Sequence, residues 1–165
     1  MKILIINSDP TKDYQFRNAL STISERQELR ILHSITEADN FISIELTQKQ
    51  KELDLIITDL FEDSYPTARE FCYDIRNNMT DTFSAKKFKV SSIPVILLFN
   101  GRINRDQYIN FGFDEIIDSS FDYHFPSIES KAKSVVKKWR NLVFEDLEIL
   151  GLGTNQDFKR TNIKL

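Results

Sequence analysis

Carboxylates follow two short apolar runs in this sequence. Asp9 comes three residues after the run Ile3–Ile6, and Asp59 directly follows the run Leu53–Thr58. If both runs are strands of one parallel sheet, their carboxyl ends meet at the edge where open α/β sheets bind ligands. Two carboxylates there suit Mg²⁺, which accepts one or two of them and keeps several waters. The alternative is that each carboxylate only caps the loop or helix that follows it.

Five apolar runs alternate with helical patterns along the chain. Most runs are continuous rather than alternating in polarity, which is typical of strands covered on both faces. They are Ile3–Ile6, Leu29–Ile35, Leu53–Thr58, Ile93–Phe99 and Glu115–Ile117. Strands that alternate with helices in this way predict an α/β fold, with a parallel five-stranded sheet and helices on both of its faces.

Polar residues and prolines mark the expected starts of the helices. Thr11 is the predicted N-cap of the first helix and Thr36 of the second, because a hydroxyl can accept a hydrogen bond from a free N–H group of the first turn. Proline suits the first turn, so Pro66 and Pro126 predict the starts of the third and fifth helices. The fourth helix is predicted over residues 104–111.

The composition predicts one globular domain. Of 165 residues, 41% are hydrophobic and 28% are charged, and the net charge is −3. A negative net charge argues against direct binding of nucleic acid, and no apolar run approaches the roughly 20 residues that span a membrane. The single cysteine, Cys72, excludes an intramolecular disulfide and a cysteine-based zinc site, so a reducing cytoplasm is the expected location.

The domain is expected to cover residues 1–148. A polar stretch at 77–91 interrupts the α/β pattern as an insertion between the third helix and the fourth strand, and it contains Lys86, Lys87 and Lys89. Residues 149–165 form a polar C-terminal tail after the last helix. Surface loops of this kind are usually solvated, and the alternative for the lysine cluster is a surface that binds a partner.

Four segments resemble, in order, the receiver domain of two-component response regulators. They are Ile6–Pro10, Asp54–Asp59, Ile93–Asn100 and Gly112–Phe121. These segments are similar to the family's patterns "VDDDP", "DLIllD", "iPVIxLTA" and "GADDYLxKPF", and the resemblance spans residues 2–145. It implies a flavodoxin-like sheet of order 2-1-3-4-5 and a phospho-accepting Asp59. It also implies weak Mg²⁺ binding by Asp9, Asp59 and the backbone carbonyl of Phe61, with no other cofactor.

Five positions depart from the pattern of that family. Asn7 and Ser8 stand at the acidic pair, Phe99 at the hydroxyl residue, Ile116 at the aromatic switch residue and Ser119 at the lysine that pairs with the phosphoryl group. Phosphoryl transfer to a carboxylate needs positive charge beside the phosphoryl oxygens, and these changes remove one cation and weaken the other. The resemblance therefore predicts an atypical receiver, or pseudo-receiver. It would be no enzyme, and it would signal through protein–protein contacts with weak or absent phosphorylation of Asp59.

The expected partner is a histidine kinase or a downstream effector. In receivers, the fourth helix, the fifth strand and the fifth helix form the surface for such contacts, which we call the α4–β5–α5 face. The apolar positions of the fifth helix continue past Trp139. This continuation predicts a helix longer than the sheet requires, and therefore a possible homodimer through the last helix.

Three other interpretations remain open at this stage. The first is a phosphorylation-competent receiver with Mg²⁺-dependent transfer to Asp59. The second is a thioredoxin-like fold, suggested by Ile93-Pro94 and the hairpin signal Asn100-Gly101, although the Cys-x-x-Cys of its redox members is missing. The third is a Mg²⁺-dependent phosphohydrolase, although the sequence around Asp9 lacks the Asp-x-Asp spacing.

Overall fold

The computed structural model describes residues 1–44, 53–59, 61, 66–77, 93–99, 105–118 and 126–149. Several sequence predictions lie outside these ranges. They include most of the 77–91 insertion with its lysines, the 149–165 tail beyond residue 149, and the degenerate position Ser119. The proposed boundary at residue 148 therefore stays a prediction.

Strands and helices alternate along the described ranges. The strands are β1 (Ile3–Ile6), β2 (Leu29–Leu32), β3 (Leu55–Asp59), β4 (Val95–Phe99) and β5 (Glu115–Asp118). The α-helices are α1 (Asp13–Leu20), α2 (Ile35–Phe41), α3 (Ala68–Asn77), α4 (Arg105–Asn110) and α5 (Pro126–Ile149), and a 3-10 turn covers Pro10–Lys12. The five predicted strands are all confirmed, with ends that shift by up to three residues.

The strands form one parallel sheet in the order β2-β1-β3-β4-β5. Ile3 is in register with Leu29 of β2 and Leu55 of β3, and the outer pairs continue in the same direction. This confirms the order 2-1-3-4-5. Both neighbours of β4 are parallel to it, so the thioredoxin-like interpretation, which placed an antiparallel hairpin after β4, is wrong.

Each face of the sheet carries its own apolar core. In β1, Leu4 and Ile6 contribute to one core, while Ile3 and Ile5 contribute to the other, as the two-residue period of a strand requires. The first core includes buried residues of α2, α3 and α4, and the second includes buried residues of α1 and α5. All four β1 side chains are fully buried, which explains the continuous apolar run and confirms helices on both faces.

The first two helix starts differ from the predictions. Asp9, rather than Thr11, caps the 3-10 turn that leads into α1, because its carboxylate accepts the backbone N–H of Thr11, whereas the N-cap of α1 itself is Lys12, whose side chain makes no capping hydrogen bond. Ser34, rather than Thr36, caps α2 by accepting the N–H of Glu37. In both places the cap lies two residues earlier than predicted, since carboxylate and serine side chains cap at least as well as threonine.

The third helix begins at Ala68, two residues after the predicted start at Pro66. Thr67 and Glu70 form a reciprocal pair at this end. The Glu70 carboxylate accepts the Thr67 N–H at 2.7 Å, and the Thr67 hydroxyl accepts the Glu70 N–H at 3.4 Å. This is a capping box, which satisfies two N–H groups that the helix leaves free. The threonine therefore sets the helix start.

The last helix is much longer than the strands that it covers. At about 1.5 Å per residue, the 24 residues of α5 extend roughly 36 Å. The buried side chains known in it, Ile128, Ala132, Val135 and Val136, all lie in its first half. The predicted long helix is confirmed. Within the described ranges, no helix is both long and apolar enough to cross a membrane.

Arg76, at the end of α3, forms hydrogen bonds with the segments that precede β4 and β5 at the amino edge of the sheet. Its guanidinium donates to the carbonyl oxygens of Ile93 at 2.7 Å and Gly112 at 3.0 Å, and to the Asp114 carboxylate at 2.7 Å. The same group lies 5.3 Å from the ring centre of Trp139 on α5. Gly112 has a φ of +100°, and a Cβ there would lie 2.6 Å from Arg76 Cγ, so only glycine fits.

Candidate functional site

Asp59 ends β3 at the carboxyl edge of the sheet, as predicted. Ser8 follows β1 and donates two hydrogen bonds to Asp59 Oδ2, one from its backbone N–H and one from its hydroxyl, both at 3.1 Å. Partial burial raises the pKa of Asp59, while the Ser8 hydrogen bonds and the positive charge of Lys12 act in the opposite direction. We call this part of the sheet edge the rim: residues 7–12, Asp59 and Phe61.

Asp9 is engaged by the turn that follows it. Its Oδ1 accepts the N–H of Thr11 at 3.0 Å and the Thr11 hydroxyl at 2.6 Å. Its Oδ2 lies 3.8 Å from Lys12 Nζ. The hydrogen bonds from Thr11 lower the pKa of Asp9. The alternative interpretation of this carboxylate, that it caps the next helical turn, is therefore confirmed.

Asn7 shapes the rim from inside the protein. Its side chain is fully buried, and Nδ2 donates to the backbone carbonyl of Asp9 at 2.6 Å. The carbonyl oxygen of Asn7 lies 2.9 Å from His33 Nδ1. Because a carbonyl can only accept, this contact places the proton of the imidazole on Nδ1. Asn7 therefore stabilises the backbone of the loop after β1, and its side-chain amide is used for that hydrogen bond.

Phe61 has an unusual backbone at the end of the rim. Its φ is +52°, in the left-handed region that residues other than glycine seldom adopt. Its ring is partly buried against the core of α2, α3 and α4. Near the end of β3, the hydroxyl of Thr58 donates to the carbonyl of Asp59 at 2.9 Å. The predicted metal contact of the Phe61 carbonyl stays a prediction.

The oxygen atoms of the rim do not fit a divalent ion as they stand. Asp59 Oδ2 already accepts two hydrogen bonds, and both carboxylate oxygens of Asp9 are engaged by Thr11 and Lys12. Ser8 donates its hydroxyl to Asp59 from a position where the receiver pattern has an acid, so the charge of a third carboxylate is missing. Among the described residues, no group of three or more His, Cys, Asp or Glu side chains is placed to hold a metal. No chemical step at this rim is therefore derived through Mg²⁺.

Two of the predicted switch positions are buried and apolar. Phe99 is 9% exposed at the end of β4, and Ile116 is 2% exposed in β5. Both belong to the core that α2, α3 and α4 cover. Neither side chain carries a hydroxyl that can follow a phosphoryl group. Rotation of either one toward solvent would expose apolar surface, which costs about 25 cal/mol per Å².

Known proteins match this chain in structure alone. No protein-family model matches it, and no curated protein sequence matches it. A receiver domain of a signal transduction histidine kinase from Syntrophus aciditrophicus is 21% identical, with 82% of this chain and 89% of that chain covered and a TM-score of 0.62. A CheY-like response regulator receiver domain protein from Methanospirillum hungatei JF-1 is 15% identical, covering 84% and 95%, with a TM-score of 0.61.

A third similar structure leads to the same fold. It is a receiver domain of a two-component histidine kinase from Clostridium thermocellum, 20% identical, with 82% and 96% covered and a TM-score of 0.58. The chain therefore has the receiver-type, flavodoxin-like fold that its sequence motifs predicted. At these identities the likeness defines the fold, and the activity has to be argued from the rim.

Sequence reasoning missed two members of the rim. Ser8 was identified as a lost acid, but its hydrogen bonds to Asp59 were not predicted. Lys12 was not predicted to take part at all. A usable signal was present, since Lys12 lies three residues after Asp9, and residues at that spacing face each other in a helical turn.

Asp59→Asn is expected to stabilise the folded chain at neutral pH. The pKa of Asp59 is raised by burial, so its ionised form is disfavoured in the folded state. The stability that this group contributes is complete below its unfolded pKa, near 3.9, and is lost as pH rises through the folded pKa. Thermal unfolding at pH 7 should show a Tm gain of roughly 2–4 °C for the variant, and the gain should shrink as pH falls toward 4.

The matched control is Asp9→Asn. The pKa of Asp9 is lowered by Thr11, so the ionised form is favoured there and the amide should bring no gain in Tm. Equal Tm values for Asp59→Asn and the unaltered chain at pH 7 would contradict the prediction.

Proposed function

We propose that this chain is a receiver-like signalling protein that acts through protein–protein contacts, with weak or absent phosphorylation at Asp59. One observation carries the proposal. Ser8 donates two hydrogen bonds to Asp59 from a position where the receiver pattern has a carboxylate. Hydrogen-bond donors of the protein itself therefore already bind the Asp59 carboxylate. On this proposal the protein is not an enzyme and works in the cytoplasm.

The chemistry of phosphoryl transfer supports this proposal. An incoming phosphoryl group brings negative charge, which needs cations close to Asp59. A charge-assisted hydrogen bond from a lysine contributes about 1.5–3 kcal/mol, and Ser119 stands at the position of that lysine in the resemblance. The buried Phe99 and Ile116 lack the groups that pass phosphorylation on to the surface. A phosphorylated Asp59 would therefore have no standard way to change the α4–β5–α5 face.

The α4–β5–α5 face is the proposed surface for a histidine kinase or a downstream effector. Ile109 of α4 is 44% exposed, although it is a large apolar residue. The overhang of α5 beyond the sheet supports the proposal of a homodimer through the last helix. Direct binding of nucleic acid or of a membrane is not part of the proposal.

A phosphorylation-competent receiver with Mg²⁺-dependent transfer to Asp59 is the second candidate. The position of Asp59 favours it, since this residue ends β3 at the ligand-binding edge of the sheet. Asp9 lies near enough for its negative charge to raise the pKa of Asp59, although burial is the larger influence. Weak Mg²⁺ binding by Asp9, Asp59 and the Phe61 carbonyl belongs to this candidate. A Mg²⁺-dependent phosphohydrolase would need further acids, and no described residue supplies them at the rim.

An NMR titration of the ¹⁵N-labelled chain separates the two candidates. Mg²⁺ is added first, and beryllofluoride, which imitates a phosphoryl group, is added second. We expect no saturable shifts around Asp9 and Asp59 at millimolar Mg²⁺, because the rim lacks the charges that hold both ligands. Asp59→Asn is the control. Saturable shifts in the unaltered chain that vanish in this variant would contradict the proposal and establish the second candidate.

A further inference from the structure

We propose that Lys12 is the resident cation of the rim. Its ammonium group lies beside the Asp9 carboxylate, at the sheet edge where a divalent ion would need that carboxylate, and it therefore disfavours the binding of Mg²⁺ and Mn²⁺. This inference rests on the proposed function, in which Asp59 is held by the protein's own groups. It adds a specificity-determining residue that the receiver resemblance did not identify.

The 3-10 turn fixes Lys12 near Asp9. The backbone N–H of Lys12 donates to the Asp9 carbonyl at 3.1 Å, and the Thr11 N–H donates to the Asp9 carboxylate at 3.0 Å. The turn therefore folds back over its own N-cap. As a result, Lys12 Nζ reaches a position 3.8 Å from Asp9 Oδ2. Pro10 opens the turn and fixes its first φ angle, which favours this conformation before folding is complete.

The positive charge of Lys12 also acts on Asp59, besides its contact with Asp9. Burial is the main influence on the pKa of Asp59, and it disfavours a second negative charge beside Asp9. Among the charged groups, Lys12 stabilises the ionised form of Asp59, while Asp9 destabilises it. A divalent ion that entered the rim would have to approach this fixed positive charge, which repels it.

The contact between Lys12 and Asp9 should contribute little to the stability of the fold. The side chains of Lys12 and Asp9 are 31% and 41% exposed, and exposed ion pairs of this kind add little to stability. The Asp9 carboxylate already has its capping partner in Thr11. What Lys12 supplies is positive charge at the rim. Its removal should therefore change cation binding more than it changes the unfolding free energy.

The test is Lys12→Gln, with Mn²⁺ as the probe. Paramagnetic broadening of the amide signals around Asp9 and Asp59 reports the dissociation constant directly, without phosphorylation. The variant should bind Mn²⁺ about tenfold more tightly than the unaltered chain, because a fixed like charge has been removed.

Lys137→Gln is the matched control. Lys137 is exposed on α5, so its loss changes the net charge by the same amount away from the rim. Equal Mn²⁺ affinity in Lys12→Gln and Lys137→Gln would overturn the proposal. The outcome is separate from the proposed function: beryllofluoride binding to the unaltered chain would contradict that function, whereas only the comparison of the two lysine variants decides the role of Lys12.

Discussion

Arg76→Met is expected to remove about 3–4 kcal/mol from the unfolding free energy, because it leaves a largely buried carboxylate without its countercharge. Breaking a buried ion pair by removing one partner typically costs about 3–5 kcal/mol, since the other charge stays buried without compensation. The Arg76 and Asp114 side chains are 16% and 18% exposed, so most of that cost should apply. Methionine keeps the apolar volume of the arginine stem and removes the guanidinium.

The loss would fall on several groups at once. Two carbonyl oxygens, of Ile93 and Gly112, would lose their donor. Asp114 would keep the N–H of Val95 at 2.7 Å but lose its countercharge. Burial already raises the pKa of Asp114, and Arg76 is the strongest influence in the opposite direction. In the variant this pKa should rise further, so the destabilisation should be greater at neutral pH than under mildly acidic conditions.

Urea unfolding measures this effect. Trp139 is the single tryptophan, and it lies against Arg76, so its fluorescence reports on the contacts of Arg76, while far-UV circular dichroism reports global unfolding independently. Lys133→Met is the matched control, because it breaks only an exposed pair with Glu129 and should leave the unfolding free energy nearly unchanged. The double variant Arg76→Met with Asp114→Asn should recover part of the loss. A loss below about 1 kcal/mol for Arg76→Met would contradict this account.

The strands were predictable because their burial is complete. A strand covered on both faces must be apolar at every position, and β1 and β4 have that pattern in the sequence. The ends were harder to place. The apolar run that contains β2 continues to Ile35, but Ser34 caps α2, and Ile35 already belongs to that helix. A continuous apolar run cannot show where the backbone changes direction.

The contacts of Arg76 at the amino edge were beyond sequence reasoning. Arg76 and Asp114 are 38 residues apart, and their pairing depends on how α3 and β5 meet at the sheet. Neither residue lies in a motif that specifies its partner. Asp9 and Asp59 were placed correctly at the opposite edge, because the carboxyl ends of parallel strands must meet there. The orientation of each carboxylate depends on a pair of hydrogen bonds, from Thr11 to Asp9 and from Ser8 to Asp59, which spacing alone does not specify.

Ser8→Asp is expected to turn the rim into a divalent-ion site. The new carboxylate would stand beside Asp59, whose pKa burial already raises, and the hydroxyl donor would be lost. Without a divalent ion, the variant should therefore be less stable than the unaltered chain by about 1–2 kcal/mol, or roughly 2–8 °C in Tm. With Mg²⁺, three carboxylates in place of two should bind the ion and reverse that loss.

The reversal has a predictable size. At a Mg²⁺ concentration about a hundredfold above the dissociation constant, linkage adds about 2.7 kcal/mol to the unfolding free energy. Thermal unfolding with and without Mg²⁺ measures it, and Ser8→Ala is the control, because it removes the same hydroxyl without adding charge. Ser8→Ala should lose stability slightly and show no response to Mg²⁺. If Ser8→Asp responded no more than Ser8→Ala, the missing acid would not be what limits metal binding.

The double variant Ser8→Asp with Lys12→Gln joins this prediction to the role of Lys12. If the missing acid and the resident ammonium interact at the rim, their effects on Mg²⁺ affinity should depend on each other, because both groups lie at the same edge of the sheet. The gain in affinity from the new carboxylate should be smaller while Lys12 remains than after Lys12 is removed. Simple additivity of the two free energies would show that Lys12 and the new carboxylate act independently of each other. Coupling would show that one rim, built from Ser8, Asp9, Lys12 and Asp59, decides whether this receiver fold binds a metal.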